Sequence, residues 1–263
     1  MPWIYRLPLA VFFVVDMATF VGATLLGLWL LRPVRDRLAG RVAESFAQVS
    51  YFGTQVWLVY SLILSLVAVG SWTNFQAAND VVSRESAALE VLARKADLYP
   101  EPERTTLGGL IRDYARAVAD EEWPVQRAGG EPAAGQPRLH VFRRALNGYE
   151  PRSRADELMH AETLAELTRA SELRRDRVHA ARTGLPGLVW LVVLAGSAVA
   201  LAGATFFVHM EDRRLHKLLA ALMAAFVGLV VFVTAALDHP FQGSVSPSEE
   251  PFRRIATRPF DGR

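Results

Sequence analysis

One acid stands alone in an apolar stretch. Asp16, in FFVVDMATF, lies near the middle of the first hydrophobic run. A charge at mid-bilayer costs about 3 kcal/mol on insertion scales, so this carboxyl is protonated, paired or turned to a wet cavity. Its role is then either in an ion or proton pathway, or in a helix–helix contact closed by a hydroxyl or a backbone carbonyl. Arg6, by snorkelling, and Gln55, Ser61 and Ser65 are its candidate partners. Glu157-x-x-His160 has the spacing of a di-iron ligand pair, but such sites need two of these motifs and two more inward glutamates. Only one is present, and the six histidines are scattered, so no metal or other cofactor is expected. No nucleophile elbow or phosphate-cradling glycine loop occurs, and the chain has no cysteine. Thiolate chemistry, disulfides and Cys-ligated metals are excluded, and the sequence is not that of an enzyme.

Positioning elements explain where Asp16 sits. Four uncharged or nearly uncharged runs, Leu7–Leu31, Phe52–Trp72, Leu185–Val208 and Leu218–Leu237, each reach the length of about 20 residues that a helix needs to cross about 30 Å of hydrocarbon. Mean hydropathy is only +0.17 because the polar residues are segregated elsewhere. The first run is too long for a signal-peptide core and no small-residue cleavage site precedes Arg32 and Arg35, so it reads as a retained span. Trp3, Trp29, Trp57, Trp72 and Trp190 fall near span ends, where an indole buries its ring and hydrates its N–H. Trp123 alone lies far from any span. The fold class is therefore all-α: an integral membrane protein with four transmembrane helices. A helical extramembrane insertion separates helices two and three.

The expected divisions are 1–72 for the first two spans with a short basic loop, 73–184 for the insertion, 185–237 for spans three and four, and 238–263 for the tail. The insertion carries 17 Lys+Arg against 18 Asp+Glu, a balanced, solvated surface with no basic stripe for nucleic acid. Thr73–Tyr99 lacks proline and glycine and continues span two until Pro100. Arg104–Trp123 follows, with Leu107, Ile111, Tyr114 and Val118 at helical spacing, and Pro124 ends it. RAGGEPAAGQP is a loop, Leu139–Tyr149 a short helix, and a long helix from about Ser153 runs on into span three. In span three Gly196, Ala200 and Ala204 recur every fourth residue, a face for close helix approach within the chain or between subunits.

Span four stops at LDHPFQG. Asp238 is its first charge and marks the interface, Pro240 cannot continue a helix, and Gly243 permits the turn. These residues serve as a stop signal, or they also dock the tail on the insertion through an arginine of the RRDR run, Arg174–Arg177.

Four segments carry a family resemblance: NFQAANDVVSRESAAL (Asn74–Leu89), YARAVADEEWP (Tyr114–Pro124), RVHAARTGLPGLVW (Arg177–Trp190) and LDHPFQGSVSPSEEPF (Leu237–Phe252). With the order of two spans, helical insertion and two spans, the chain resembles a bacterial bestrophin-like four-transmembrane family, over about Phe52–Phe252. The likeness implies kinship with bestrophin anion channels, and hence a homo-oligomer in the bilayer that passes small anions. It also implies a vestibule near which Arg174, Arg175 and Arg177 would stand. No acidic calcium-clasp run is present, so calcium gating does not carry over. The alternative is a non-conducting scaffold or sensor whose insertion binds a partner protein.

Short loops Arg32–Tyr51 and His209–Lys217 hold seven Lys/Arg, but arginines flanking the insertion side nearly balance them. The resemblance favours the bacterial inner membrane with termini and insertion cytoplasmic.

Overall fold

A computed structural model of the chain describes residues 7–34, 37, 46–206, 212–243 and 245–258. These are almost wholly helical, and no strand occurs among the described residues. Trp3, Arg6, Arg35, Arg41, Ser244 and the side chain of Ala204 lie outside the described residues. The helices are α1 (Leu9–Leu30), α2 (Phe46–Ala96), α3 (Glu103–Ala117), α4 (Trp123–Arg127), α5 (Gly135–Asn147), α6 (Arg154–Ala180), α7 (Gly187–Phe206), α8 (Arg213–Asp238) and α9 (Glu250–Thr257). They form two compact units. One comprises the described residues within Trp3–Asn74 and Gly184–Asp238, the other those within Phe75–Thr183 and His239–Arg263.

In the first unit α1, the start of α2 and α8 are long and apolar enough to cross a membrane. Helix α7 is apolar over Gly187–Gly203 and 20 residues long in all. Large apolar side chains cover the outside, among them Leu26, Leu58, Leu62, Leu191 and Leu222, all more than half exposed. That inversion of the usual rule is expected where the solvent is hydrocarbon. Helix α1 packs along α8, where Gly228 leaves room for Met17 and Phe20, and Phe12 and Phe13 stack near Phe232 with ring centroids 5.2 Å apart.

The second unit has an ordinary core. Leu89, Leu92, Ile111, Tyr114, Trp123, Phe142, Leu146, Leu167, Phe241 and Phe252 are all under 3% exposed and form one cluster. Ser153 caps α6, its hydroxyl accepting from the Asp156 N–H, which satisfies one of the four unpaired donors at a helix start.

Three local expectations are corrected. Pro124 does not end a helix; after a π-helical turn at Val118–Glu122 it stands in the first turn of α4, where its missing N–H costs nothing. Helix α5 begins at Gly135 rather than Leu139, so the glycine- and proline-rich loop is shorter than its composition suggests. The long helix does not run on into the third apolar segment: α6 ends at Ala180 and α7 starts at Gly187. Pro186 disfavours helical geometry at Leu185, which makes the break. The tail also contains a helix, α9, that the sequence did not announce.

Candidate functional site

Asp16 is half-buried on α1, with Oδ2 buried and no hydrogen-bond partner among the described residues. Its expected serine partners are otherwise engaged. Ser61 and Ser65 donate to their own helix, to the carbonyls of Leu58 at 2.9 Å and Leu62 at 2.8 Å, and both are exposed. Asp16→Asn should preserve folding and assembly, because a neutral amide replaces a carboxyl that meets no cation among the described residues. Asp16→Lys should lower stability by about 3 kcal/mol or more, the insertion cost of a cation at mid-span. Melting temperatures in detergent check both, and a Lys variant as stable as the parent would show that the side chain reaches water.

Gly196 and Ala200 pack within the chain. A Cβ on Gly196 would lie 2.5 Å from Tyr60 Cε2, and Ala200 is fully buried. The Tyr60 hydroxyl lies 3.2 Å from the Val193 carbonyl and 2.5 Å from Ser197 Oγ, and Ser197 donates to the same carbonyl at 2.8 Å. The face of α2 turned away from this contact carries Thr54, Leu58, Ser61, Leu62 and Ser65, all exposed in the protomer. No spacing argument singled this face out, because its hydroxyls alternate with leucines.

Asp238 does more than stop α8. One carboxylate oxygen accepts from the Leu185 N–H at 2.5 Å and the other from Trp190 Nε1 at 3.0 Å, so the end of α8 caps the start of α7. A carboxylate there also meets the positive end of the α7 dipole. Pro240 is buried and Gly243 takes φ +77°, a turn conformation that glycine adopts without strain.

The second unit holds a buried ionic cluster. Arg177 is fully buried and donates Nε to Glu85 Oε2 at 2.6 Å, Nη2 to Glu122 Oε2 at 2.8 Å and Nη1 to Gln126 Oε1 at 2.6 Å. Arg174, one helical turn earlier, donates Nη2 to Glu122 Oε1 at 2.6 Å and Nη1 to Gln136 Oε1 at 3.0 Å. Tyr114 donates to Glu85 Oε1 at 2.6 Å and the Gly135 N–H donates to Glu122 Oε1 at 2.7 Å. Two arginines meet two glutamates, so the cluster is neutral overall. The Arg177 guanidinium carbon also stands 5.6 Å from the Trp123 ring centre and 5.7 Å from that of Phe252, within cation–π range. Trp123 packs edge-on to Phe241 at 5.8 Å. The turn after Asp238 therefore docks through aromatic contact rather than by an ion pair to the RRDR run.

These surroundings set the charges. Burial opposes ionisation of Glu122, but the Arg177 charge and hydrogen bonds from Arg177, Arg174 and Gly135 outweigh it and hold the carboxyl below its usual range. Burial would discharge Arg177, yet Glu85 holds it more firmly protonated than a free guanidinium. Burial, then the Glu85 charge, pushes the Tyr114 phenol well above its usual range. A Cβ at Gly135 would meet Arg174 Nε at 3.0 Å and Glu122 Oε1 at 3.1 Å, which leaves only glycine fitting there without a shift.

This geometry corrects the vestibule expectation for two of three arginines. Arg174 and Arg177 are buried and neutralised in the interior, out of reach of an ion in solution. Arg175 is exposed, 3.8 Å from Glu172. His160 binds the Tyr99 hydroxyl through Nδ1 at 3.0 Å and Glu157 pairs with Arg154. No group of three or more metal-ligating side chains occurs among the described residues.

Apolar helices of spanning length joined to a helical unit with a buried ionic core define an all-helical membrane protein. The chain belongs to the bestrophin-like family: the model of the bestrophin-like domain matches residues 18–252. Its fold is similar to crystal structures of a bacterial bestrophin homologue from Klebsiella pneumoniae. One shares 10% identity with a TM-score of 0.67, covering 92% of this chain and 95% of that one. A variant of the homologue gives 10% identity and a TM-score of 0.69, with 93% and 97% covered. No curated protein matches the chain. The four segments quoted for the resemblance supply Glu85, then Tyr114, Glu122 and Trp123, then Arg177, then Phe241 and Phe252 to the cluster, while Arg174 and Gln126 come from outside them.

Proposed function

We propose that the chain spans the bacterial inner membrane four times, with termini and the 73–184 segment cytoplasmic, and assembles as a homo-oligomer that passes small anions. The carrying observation is the uncovered face of α2, where Thr54, Ser61 and Ser65 alternate with Leu58 and Leu62 on an apolar helix. Around a symmetry axis this face makes hydroxyl rings separated by leucine rings, a wettable path with apolar constrictions. A serine hydroxyl that donates to its own helix can rotate to donate to a passing anion, exchanging one hydrogen bond for another. Arg169 and Arg175, exposed on α6, are among the basic groups able to raise anion concentration at the surface of the second unit.

Purified protein in planar bilayers should give a current whose reversal potential follows the chloride gradient. Arg169→Gln with Arg175→Gln should move that potential toward zero selectivity. An unmoved potential places selectivity elsewhere. Absence of current at all voltages, with particles lacking a central axis, would overturn the channel reading in favour of a scaffold whose helical segment binds a partner protein.

A further inference from the structure

Tyr60 is a large polar side chain packed in the interior of the first unit, at 6% exposure among Leu64, Val193, Ala200, Leu201 and Val227. Its ring occupies the notch left by the absent side chain of Gly196, with Cε2 and Cδ2 at 2.5 and 2.7 Å from where a Cβ would be. Its hydroxyl is held by Ser197 and by the Val193 carbonyl, one helical turn below. Trp57 backs the ring edge-on, 6.4 Å away. A notch constrains position and a hydrogen bond constrains direction, and both act on one residue of α2.

Successive residues on a helix are about 100° apart, so a rotation of α2 by one position would carry Tyr60 out of the notch and bring Val59 or Ser61 to it. Neither could fill the notch or reach the Ser197 pair. Lipid supplies no hydrophobic drive to prefer one apolar helix face over another, so close packing and hydrogen bonds must distinguish them. The Tyr60 contact does distinguish them. On the side of α2 beyond the hydroxyl face, Val56, Val59 and Ile63 line an open apolar groove of about 420 Å³ with Val192 and Val199.

We infer that Tyr60, seated at Gly196 and held by Ser197, is the rotational stop of α2: it turns Ser61 and Ser65 to the axis of the assembly and Val59 and Ile63 away from it. Tyr60 is a positioning residue in this role, and the inference rests on the channel reading above.

A chain without cysteine allows the test directly. Single changes Ser61→Cys, Ser65→Cys, Val59→Cys and Ile63→Cys are exposed to a small charged methanethiosulfonate in proteoliposomes. In the native background the first two should react and the last two should be slower by an order of magnitude or more. Gly196→Ala, which evicts the ring, should erase or invert that ratio, and Tyr60→Leu, which empties the notch, should blur it. Tyr60→Phe keeps the ring seated and should retain the pattern. A native ratio that survives both Gly196→Ala and Tyr60→Leu in assemblies of unchanged size would overturn the stop while leaving the channel reading intact. If Ser61→Cys and Ser65→Cys are inert in the native background, the channel reading falls instead. The stop is then judged by crosslinking of Val56→Cys to Val199→Cys across the groove. Loss of yield in Gly196→Ala supports it, and an unchanged yield overturns it.

Discussion

Arg177→Met should unfold the helical second unit, at a cost of about 3–5 kcal/mol, because removing one partner strands the other charge in the interior. Glu85, itself fully buried, would keep only the Tyr114 hydroxyl, and Glu122 would keep Arg174 and the Gly135 N–H. Coupled replacement, Glu85→Gln with Arg177→Met, should recover much of the loss, since a buried ion pair exchanged as a whole for uncharged groups is often near neutral. Chemical denaturation of the single and double variants measures the coupling. Additive losses would mean that the pair contributes little beyond packing. The pH dependence follows from Glu122. Its folded-state carboxyl is held below the ordinary value of 4.5, so the stability it contributes is present above that value and is lost as pH falls through the lower folded-state one. Tyr114 acts in the opposite direction. Its phenol is raised above 10.0, so its contribution persists below that pH and disappears only in more alkaline solution. Thermal melts should be flat near neutrality and fall at both extremes, and Glu122→Gln should flatten the acid limb.

Trp123→Ala should release the tail, with a destabilisation of about 3–5 kcal/mol for a fully buried indole. Trp123 is 1% exposed and receives Phe241 on one side and Phe252 on another, with ring centres 5.8 and 5.6 Å away. The tail also makes the ion pairs Arg127–Glu249 at 2.9 Å, Arg253–Asp120 at 3.1 Å and Arg258–Asp97 at 3.3 Å, all at least partly exposed. Pairs of that kind contribute about 0–1 kcal/mol each, so the buried contacts of Phe241, Phe252 and Ile255 carry most of the docking, and Trp123 is central to them. Trypsin cleavage after Arg253 and Arg254 should accelerate by an order of magnitude in the variant while sites in α2 stay protected. Unchanged cleavage would assign the docking to the surface pairs.

Much of the first unit was legible because a bilayer imposes length and apolarity on each crossing segment, and both properties are local. The helical ends followed from local chemistry too: Pro100 closes α2 near Ala96, Ser153 starts α6, and Asp238 with Pro240 ends α8. The misses were also local conflicts, resolved by packing. Pro124 reads as a terminator, yet it suits a first turn once a π-helical turn has offset the chain and directed Glu122 inward. Gly196 and Ala200 read as an intrachain face more readily than as a subunit one, and the Tyr60 ring, 136 positions earlier in the chain than Gly196, seats there within the chain.

What the sequence by itself determined is the set of segments rich enough in apolar residues to leave water, the helical character of the rest, and the family, through four short segments. It could not say that those segments meet. Arg174 and Arg177 look in sequence like two more solvated cations in a run of three, since charge is the residue's property and burial is not. Only the tertiary structure brings Glu85, Glu122, Gln126 and Tyr114 around them, the bonded partners among these lying 51 to 92 residues away in the chain. The physical reason is that a charge becomes structural only when its counter-charge is delivered to the same dry place, and delivery depends on how helices pack rather than on what any one of them contains.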